Sequence, residues 1–170
     1  MLNRQGGVIS HYDAYFQRYA PRIRWDWRLL AAQCYQESCF DPQAKSWAGA
    51  CGLMQIMPST ADHLELARTD IYHPERNIEA AVRYIAELQQ SFSDVRDATE
   101  RTRFVLAAYN GGGFHIRDAM ALVRNGYMRG SETVDYVRRI QERWNGYRGI
   151  RTIHAVSSGP SGIPQKAKRE

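Results

Sequence analysis

The chain has 170 residues, 44% of them apolar, and 23 Lys and Arg against 18 Asp and Glu give it a net charge of +5. That length suits one domain able to bury roughly 70% of the surface its unfolded chain exposes, so neither a structural metal nor a dense disulfide set is needed, and the mixture of apolar and charged residues excludes a disordered protein. No stretch approaches the length of a membrane span, nothing at the N-terminus reads as a signal peptide, and the basic surface suits polyanionic partners as readily as it suits plain solubility.

The apolar periodicity is helical. Residues 9–20 (ISHYDAYFQRYA) predict a first helix stopped by Pro21. Asp26 predicts an N-cap for WRLLAAQCYQES, with Trp27, Leu30, Ala31 and Cys34 forming the i, i+3, i+4, i+7 stripe of an amphipathic helix to about residue 38. Asp41-Pro42 forces a turn, and residues 41–52 predict a loop containing Gly49 and Gly52. STADHLEL predicts a short helix capped by Ser59. The strongest helix is 74–92, with Pro74 in its first turn and Ile78, Val82, Ile85, Leu88 and Phe92 on one face. A helix over about 97–109 ends at Tyr109-Asn110-Gly111, where three successive glycines give the backbone freedom for a tight turn. Segments 114–124 and 131–144 complete the helical set. Beyond about 148, Gly, Ser, Pro and Lys predict disorder. The pattern contains no internal repeat and no convincing strand pair, so the fold class is all-α with at most a minor hairpin.

Cys39 and Cys51 flank the 41–52 loop. In an oxidising compartment a bridge between them would close a short loop and stabilise it by about 3 kcal/mol in the chain-entropy model; the alternative is three reduced thiols. Cys34 lies on the apolar side of its helix and reads as core. The cysteine spacings match no zinc pattern and the five histidines are scattered, so no metal and no cofactor is expected.

Glu37 is the residue that asks for chemistry. At 100° per residue it points within about 20° of Leu30, toward the core side of its helix, at the negative end of the helix dipole. Both conditions disfavour the ionised carboxylate, which suits a general acid. A Glu at a frayed helix end fits the same periodicity.

The order of short motifs separates the two. Glu37-Ser38, Asp41-Pro42, Ser46, the run Gly52-Leu53-Met54-Gln55-Ile56-Met57-Pro58 and, much later, Ala108-Tyr109-Asn110-Gly111-Gly112 resemble the lytic transglycosylase (SLT) domains of the goose-type-lysozyme-like superfamily. The helix from Trp27 to Ser38, the segment Gly126-Tyr127-Met128-Arg129-Gly130 and the pair Tyr136-Val137 are most similar to the C-terminal catalytic domain of the membrane-bound F subgroup. The resemblance covers about residues 9–148, giving a catalytic domain over 1–148 and a basic tail over 149–170. Gly112-Gly113 departs from the Ala/Gly-Pro often found after the Asn, and the two loop cysteines are also unusual.

The resemblance implies a lysozyme-like helical fold and an enzyme that cleaves the β-1,4 bond between N-acetylmuramic acid and N-acetylglucosamine in peptidoglycan, leaving a 1,6-anhydromuramyl end. It assigns Glu37 as acid to the leaving oxygen and then as base to the muramyl C6 hydroxyl. Ordinary glycosidases need two carboxylates; a substrate that supplies its own hydroxyl, already in place, removes the need for the second. The resemblance further implies substrate contacts from Ser46 to the acetamido group, from Gln55 to sugar hydroxyls and N-acetyl groups, and from Met57 to a sugar face. It puts Tyr109 next to the acid and Tyr136 near the cleft. Each has a structural alternative: a turn former for Ser46, a backbone-bonded amide for Gln55, core for Met57, and packing for the two tyrosines. Asp41, the acid nearest Glu37 in sequence, reads as a turn organiser. The implied partner is the peptidoglycan glycan strand, with no nucleic acid, membrane attachment only through parts outside this chain, and a periplasmic or outer-membrane setting in the cell envelope. The competing readings are a goose-type-like muramidase hydrolysing the same bond, an inactive peptidoglycan-binding module, and a basic helical nucleic-acid binder.

Overall fold

A computed structural model describes residues 7–111 and 132–149. The predicted 114–124 helix, the Gly126–Gly130 segment, Gly112, Gly113 and the tail beyond 149 lie outside the described residues. Among the described residues there are six α-helices: α1 (Asp13–Tyr19), α2 (Trp27–Ser38), α3 (Pro58–His63), α4 (Pro74–Ser91), α5 (Ala98–Gly111) and α6 (Glu132–Tyr147). Extended structure among them is confined to two isolated antiparallel bridges, Lys45 with Cys51 and Cys51 with Ile56. The all-α expectation with at most a minor hairpin therefore holds.

Asp26 caps α2 as expected, its Oδ1 accepting the Arg28 N–H at 3.0 Å. The same carboxylate accepts the Trp144 indole N–H on Oδ2 at 3.1 Å, tying the start of α2 to the last turns of α6. Burial pushes Asp26 up, but the hydrogen bonds from Arg28 and Trp144 and the Arg28 charge outweigh it and hold the carboxyl below its usual value.

The single-stripe expectation for α2 is too narrow. Leu29, Leu30, Ala31, Ala32, Gln33, Cys34, Glu37 and Ser38 are all buried, while Trp27 is only partly covered. This helix packs on α6 along one side and on α1 along another, so its small Ala residues meet neighbours where an amphipathic helix meets water. The α4 expectation fits a one-sided helix: Ile78, Val82, Ile85, Leu88 and Phe92 are all buried, and Pro74 opens the first turn.

Four boundaries differ from expectation. Helix α1 begins at Asp13 because the Asp13 carboxylate accepts the N–H groups of Ile9 and Ser10 and holds residues 9–12 in a turn. Pro21 does not end the structure; it enters a 3-10 turn, Ala20–Ile23, at a first-turn position where a missing N–H leaves no bond unmade. Ser59 is inside α3, not its cap: Pro58 takes the first position and Met57 is the cap, without a side-chain bond. Helix α5 runs on through Gly111.

Candidate active site

Glu37 projects from the last turn of α2 and is 5% exposed. The helix stops two residues later at Cys39, whose N–H still reaches the Tyr35 carbonyl at 2.8 Å. Cys39 and Phe40 both adopt left-handed backbone (φ 52° and 63°), turning the chain sharply away below the carboxylate. Asp41 then organises the turn, its Oδ1 accepting the Gln43 N–H at 2.9 Å.

The Tyr136 hydroxyl of α6 donates to Glu37 Oε1 at 2.6 Å and accepts the Gln33 side-chain N–H at 3.2 Å. Gln33, Tyr136 and Glu37 are all buried. Burial first, and the Glu37 charge second, push the Tyr136 phenol well up from its usual value, so it stays protonated and serves as a donor.

Tyr109, on α5, is buried. Its hydroxyl, which has a single proton, donates to the Met54 carbonyl at 2.7 Å, and its ring lies 5.4 Å from that of Tyr84. The donor to Glu37 Oε1 is Tyr136. Tyr109 still senses the carboxylate: burial, then the Glu37 charge, push its phenol well up.

The 44–57 loop lies between these helices and is pinned on three sides. Cys51 and Ile56 exchange both backbone hydrogen bonds at 2.9 Å. From α4, the fully buried Asn77 accepts the Met54 N–H at 2.8 Å and donates to the Cys51 and Ile71 carbonyls at 3.0 and 2.7 Å. Cys34 on α2 donates its thiol proton toward the Leu53 carbonyl at 3.5 Å. Gly52 fits only as glycine: its φ is +76°, and a Cβ there would meet Asn77 Nδ2 at 2.6 Å.

The loop's polar residues face inward. Ser46 Oγ accepts the Ala50 N–H at 3.0 Å, closing a turn. The Gln55 amide nitrogen donates to the Ala44 and Gly52 carbonyls at 3.1 and 2.9 Å, so both its N–H groups are committed to the loop's own backbone. Gln55 itself is left-handed at φ 51°, a conformation these two bonds compensate. Met57 is half-buried at the head of α3. Trp47, next to Ser46, is 70% exposed.

The expected Cys39–Cys51 bridge is not formed, and Cys34, Cys39 and Cys51 are all free. The Cys51 thiol is buried and donates to the Gly49 carbonyl at 3.1 Å, whereas Cys39 stands exposed at the end of α2. A hydrogen bond with Cys51, together with burial, pushes the neighbouring Tyr72 phenol up to about 12. Among the described residues no cluster of three or more His, Cys, Asp and Glu is placed to hold a metal, and no helix is long and apolar enough to cross a membrane.

Sequence reasoning missed Gln33, Asn77 and the donor role of Tyr136. Gln33 alone carried a local signal, lying one helical turn before Glu37 on the same face.

A family profile described as the transglycosylase SLT domain matches residues 14–128. The chain is similar to the membrane-bound lytic murein transglycosylase F of Desulfosudis oleivorans, 37% identical over 161 residues that cover 78% of this chain and 35% of the relative. It is 44% identical over 121 residues to the like-named protein of Salmonella arizonae, covering 71% of this chain and 23% of that one. The chain therefore spans about a quarter to a third of the length of the curated relatives it matches. Among solved structures, the 70 kDa soluble lytic transglycosylase of Escherichia coli superposes with a TM-score of 0.67 at 28% identity, covering 81% of this chain and 24% of that one. A complex of the 70-kDa soluble lytic transglycosylase with bulgecin A gives 0.67 at 26% identity, covering 94% and 27%.

Proposed function

Because the chain belongs to the transglycosylase SLT domain family, we propose that it is a peptidoglycan lytic transglycosylase, with residues 1–148 as its catalytic unit and Glu37 as its sole acid–base group. The observation that carries the reading is a buried carboxylate at the end of α2 whose Oε1 accepts a phenol proton at 2.6 Å. A carboxyl in that setting hands a proton to the departing glycosidic oxygen. The resulting carboxylate then takes one from the muramyl C6 hydroxyl as that oxygen attacks C1. Oε1 accepts the Tyr136 hydroxyl proton at 2.6 Å, which holds the carboxyl in one orientation.

The Tyr136 bond strengthens as Glu37 gains charge, which steadies the intermediate state of the acid. Asp41 is exposed and accepts the Gln43 N–H in its turn, the place of a turn organiser. The inward-facing Ser46 and Gln55 shape the loop that borders the acid, and Met57 offers an apolar surface at its edge. Substrate contact by Ser46 and Gln55 is made through what their backbone bonds leave available. A glycan-strand substrate implies a setting in the cell envelope, in the periplasm and at the outer membrane.

Mass spectrometry of muropeptides released from purified sacculi tests the reading. Transglycosylation products are one water lighter than hydrolytic products, and Glu37→Gln releases neither. Products carrying the extra water would make the protein a muramidase; undiminished release by Glu37→Gln would remove the acid from the mechanism.

A further inference from the structure

We propose that Gln33 is a positioning residue for Glu37, acting through Tyr136: its side-chain amide holds the phenol so that the phenol's proton points at the carboxylate. The kinetic consequence rests on the proposed role of Glu37; the pairing itself does not.

Gln33 is 0% exposed, one turn before Glu37 on α2, in a helix whose other buried positions are mostly apolar. Its Nε2 donates to the Tyr136 oxygen at 3.2 Å, and that hydroxyl donates to Glu37 Oε1 at 2.6 Å. A phenol has one proton. An N–H arriving from the Gln33 side fills an oxygen lone pair and offers nothing that could accept, so the proton is directed to Glu37. The opposite amide face would present Gln33 Oε1, which would accept the phenol proton and take it from the acid. The orientation of one buried amide thus sets the direction of the chain of bonds.

Two further observations agree. Gln33 Oε1 is buried with no hydrogen-bond partner among the described residues, a state that disfavours an amide here unless its N–H is needed. Burial and the Glu37 charge push the Tyr136 phenol up, while the Gln33 bond works the other way, making that hydroxyl a readier donor.

A double-mutant cycle of Gln33→Leu and Tyr136→Phe in the full chain tests this, read by sacculus turnover and by the 13Cζ resonances of labelled tyrosine. Gln33→Leu is expected to lower kcat roughly 3- to 10-fold, with KM changed less than about 2-fold and Tm within about 3 °C of wild type. In the Tyr136→Phe background the same substitution is expected to change kcat less than about 2-fold. The Tyr136 resonance, assigned by its loss in Tyr136→Phe, is expected to move in Gln33→Leu while that of Tyr109 stays. Equal losses in both backgrounds, or an unmoved Tyr136 resonance, would overturn the proposal. If Gln33→Leu does not fold, Gln33→Met carries the same cycle. The spectral arm needs no turnover: an inactive wild type with a displaced Tyr136 resonance would sink the proposed activity and leave the pairing standing.

Discussion

Tyr136 and Glu37 stand 99 residues apart in the chain and 2.6 Å apart across the α2–α6 interface. With Asp26 and Trp144 joined at the other end, the two contacts fix α2 and α6 as an antiparallel pair. One end of the pair is a helix cap; the other is the candidate acid.

Removing the phenol oxygen alone should isolate its contribution. Tyr136→Phe keeps the ring and deletes the bond to Glu37. A hydrogen bond to a charged group contributes about 1.5–3 kcal/mol, so kcat is expected to fall roughly 10- to 150-fold with KM little changed. Steady-state turnover of sacculi checks this, and a loss confined to KM would place Tyr136 in substrate binding instead.

The loop's anchor should matter for stability rather than for chemistry alone. Asn77→Leu strands the buried Met54 N–H and the Ile71 carbonyl, each at about 1–3 kcal/mol, and removes the second donor to the Cys51 carbonyl, which keeps the Ile56 N–H. A loss on the order of 3 kcal/mol or more is expected as a lower urea midpoint at unchanged m. Gly52→Ala should be comparably damaging, since the new methyl meets the Asn77 amide and sits on a left-handed backbone.

Asp26 supplies a pH signature. Its carboxyl is held below its unfolded value of about 3.9, so the stability it contributes is present above that pH and is lost as pH falls through the lower folded value. Asp26→Asn retains a capping side chain but loses the Arg28 attraction. The stability gap between wild type and Asp26→Asn is expected to be open at pH 7 and to narrow as the pH falls below the unfolded carboxyl value, read by urea unfolding at a series of pH values.

Thiol chemistry should follow exposure. Cys39 is exposed, whereas Cys34 and Cys51 are buried, and burial pushes the Cys34 thiol far up. Labelling of the native protein is expected to modify Cys39 alone, and labelling after denaturation all three. Cys39→Ser should abolish native labelling.

Helix α4 was readable because its apolar residues repeat on one face and that face is the one buried. Helix α2 was only half readable: a helix with neighbours on two sides hides its Leu, Ala and Gln residues alike, and no single-face period describes it. Glu37 stood out as the candidate acid through its motif context. Its partner was not, because nothing in one sequence records that position 136 returns to position 37. The same limit hid the bond from the Tyr109 hydroxyl to the Met54 carbonyl. Ser46 and Gln55 carry polar groups that suit a sugar, and the fold also uses those groups to hold the loop's own backbone, which one sequence does not record. The expected disulfide rested on proximity in sequence, which says nothing of the direction in which a thiol points.

The antiparallel α2–α6 pair also dictates an order of assembly during synthesis. A nascent chain that has left the ribosome only through α5 carries the carboxylate but neither the phenol that orients it nor the helix that closes one flank of α2. The setting of the candidate acid is therefore completed late, by a segment translated some hundred residues after it, and a polypeptide cut short before that point would carry Glu37 without its phenol partner.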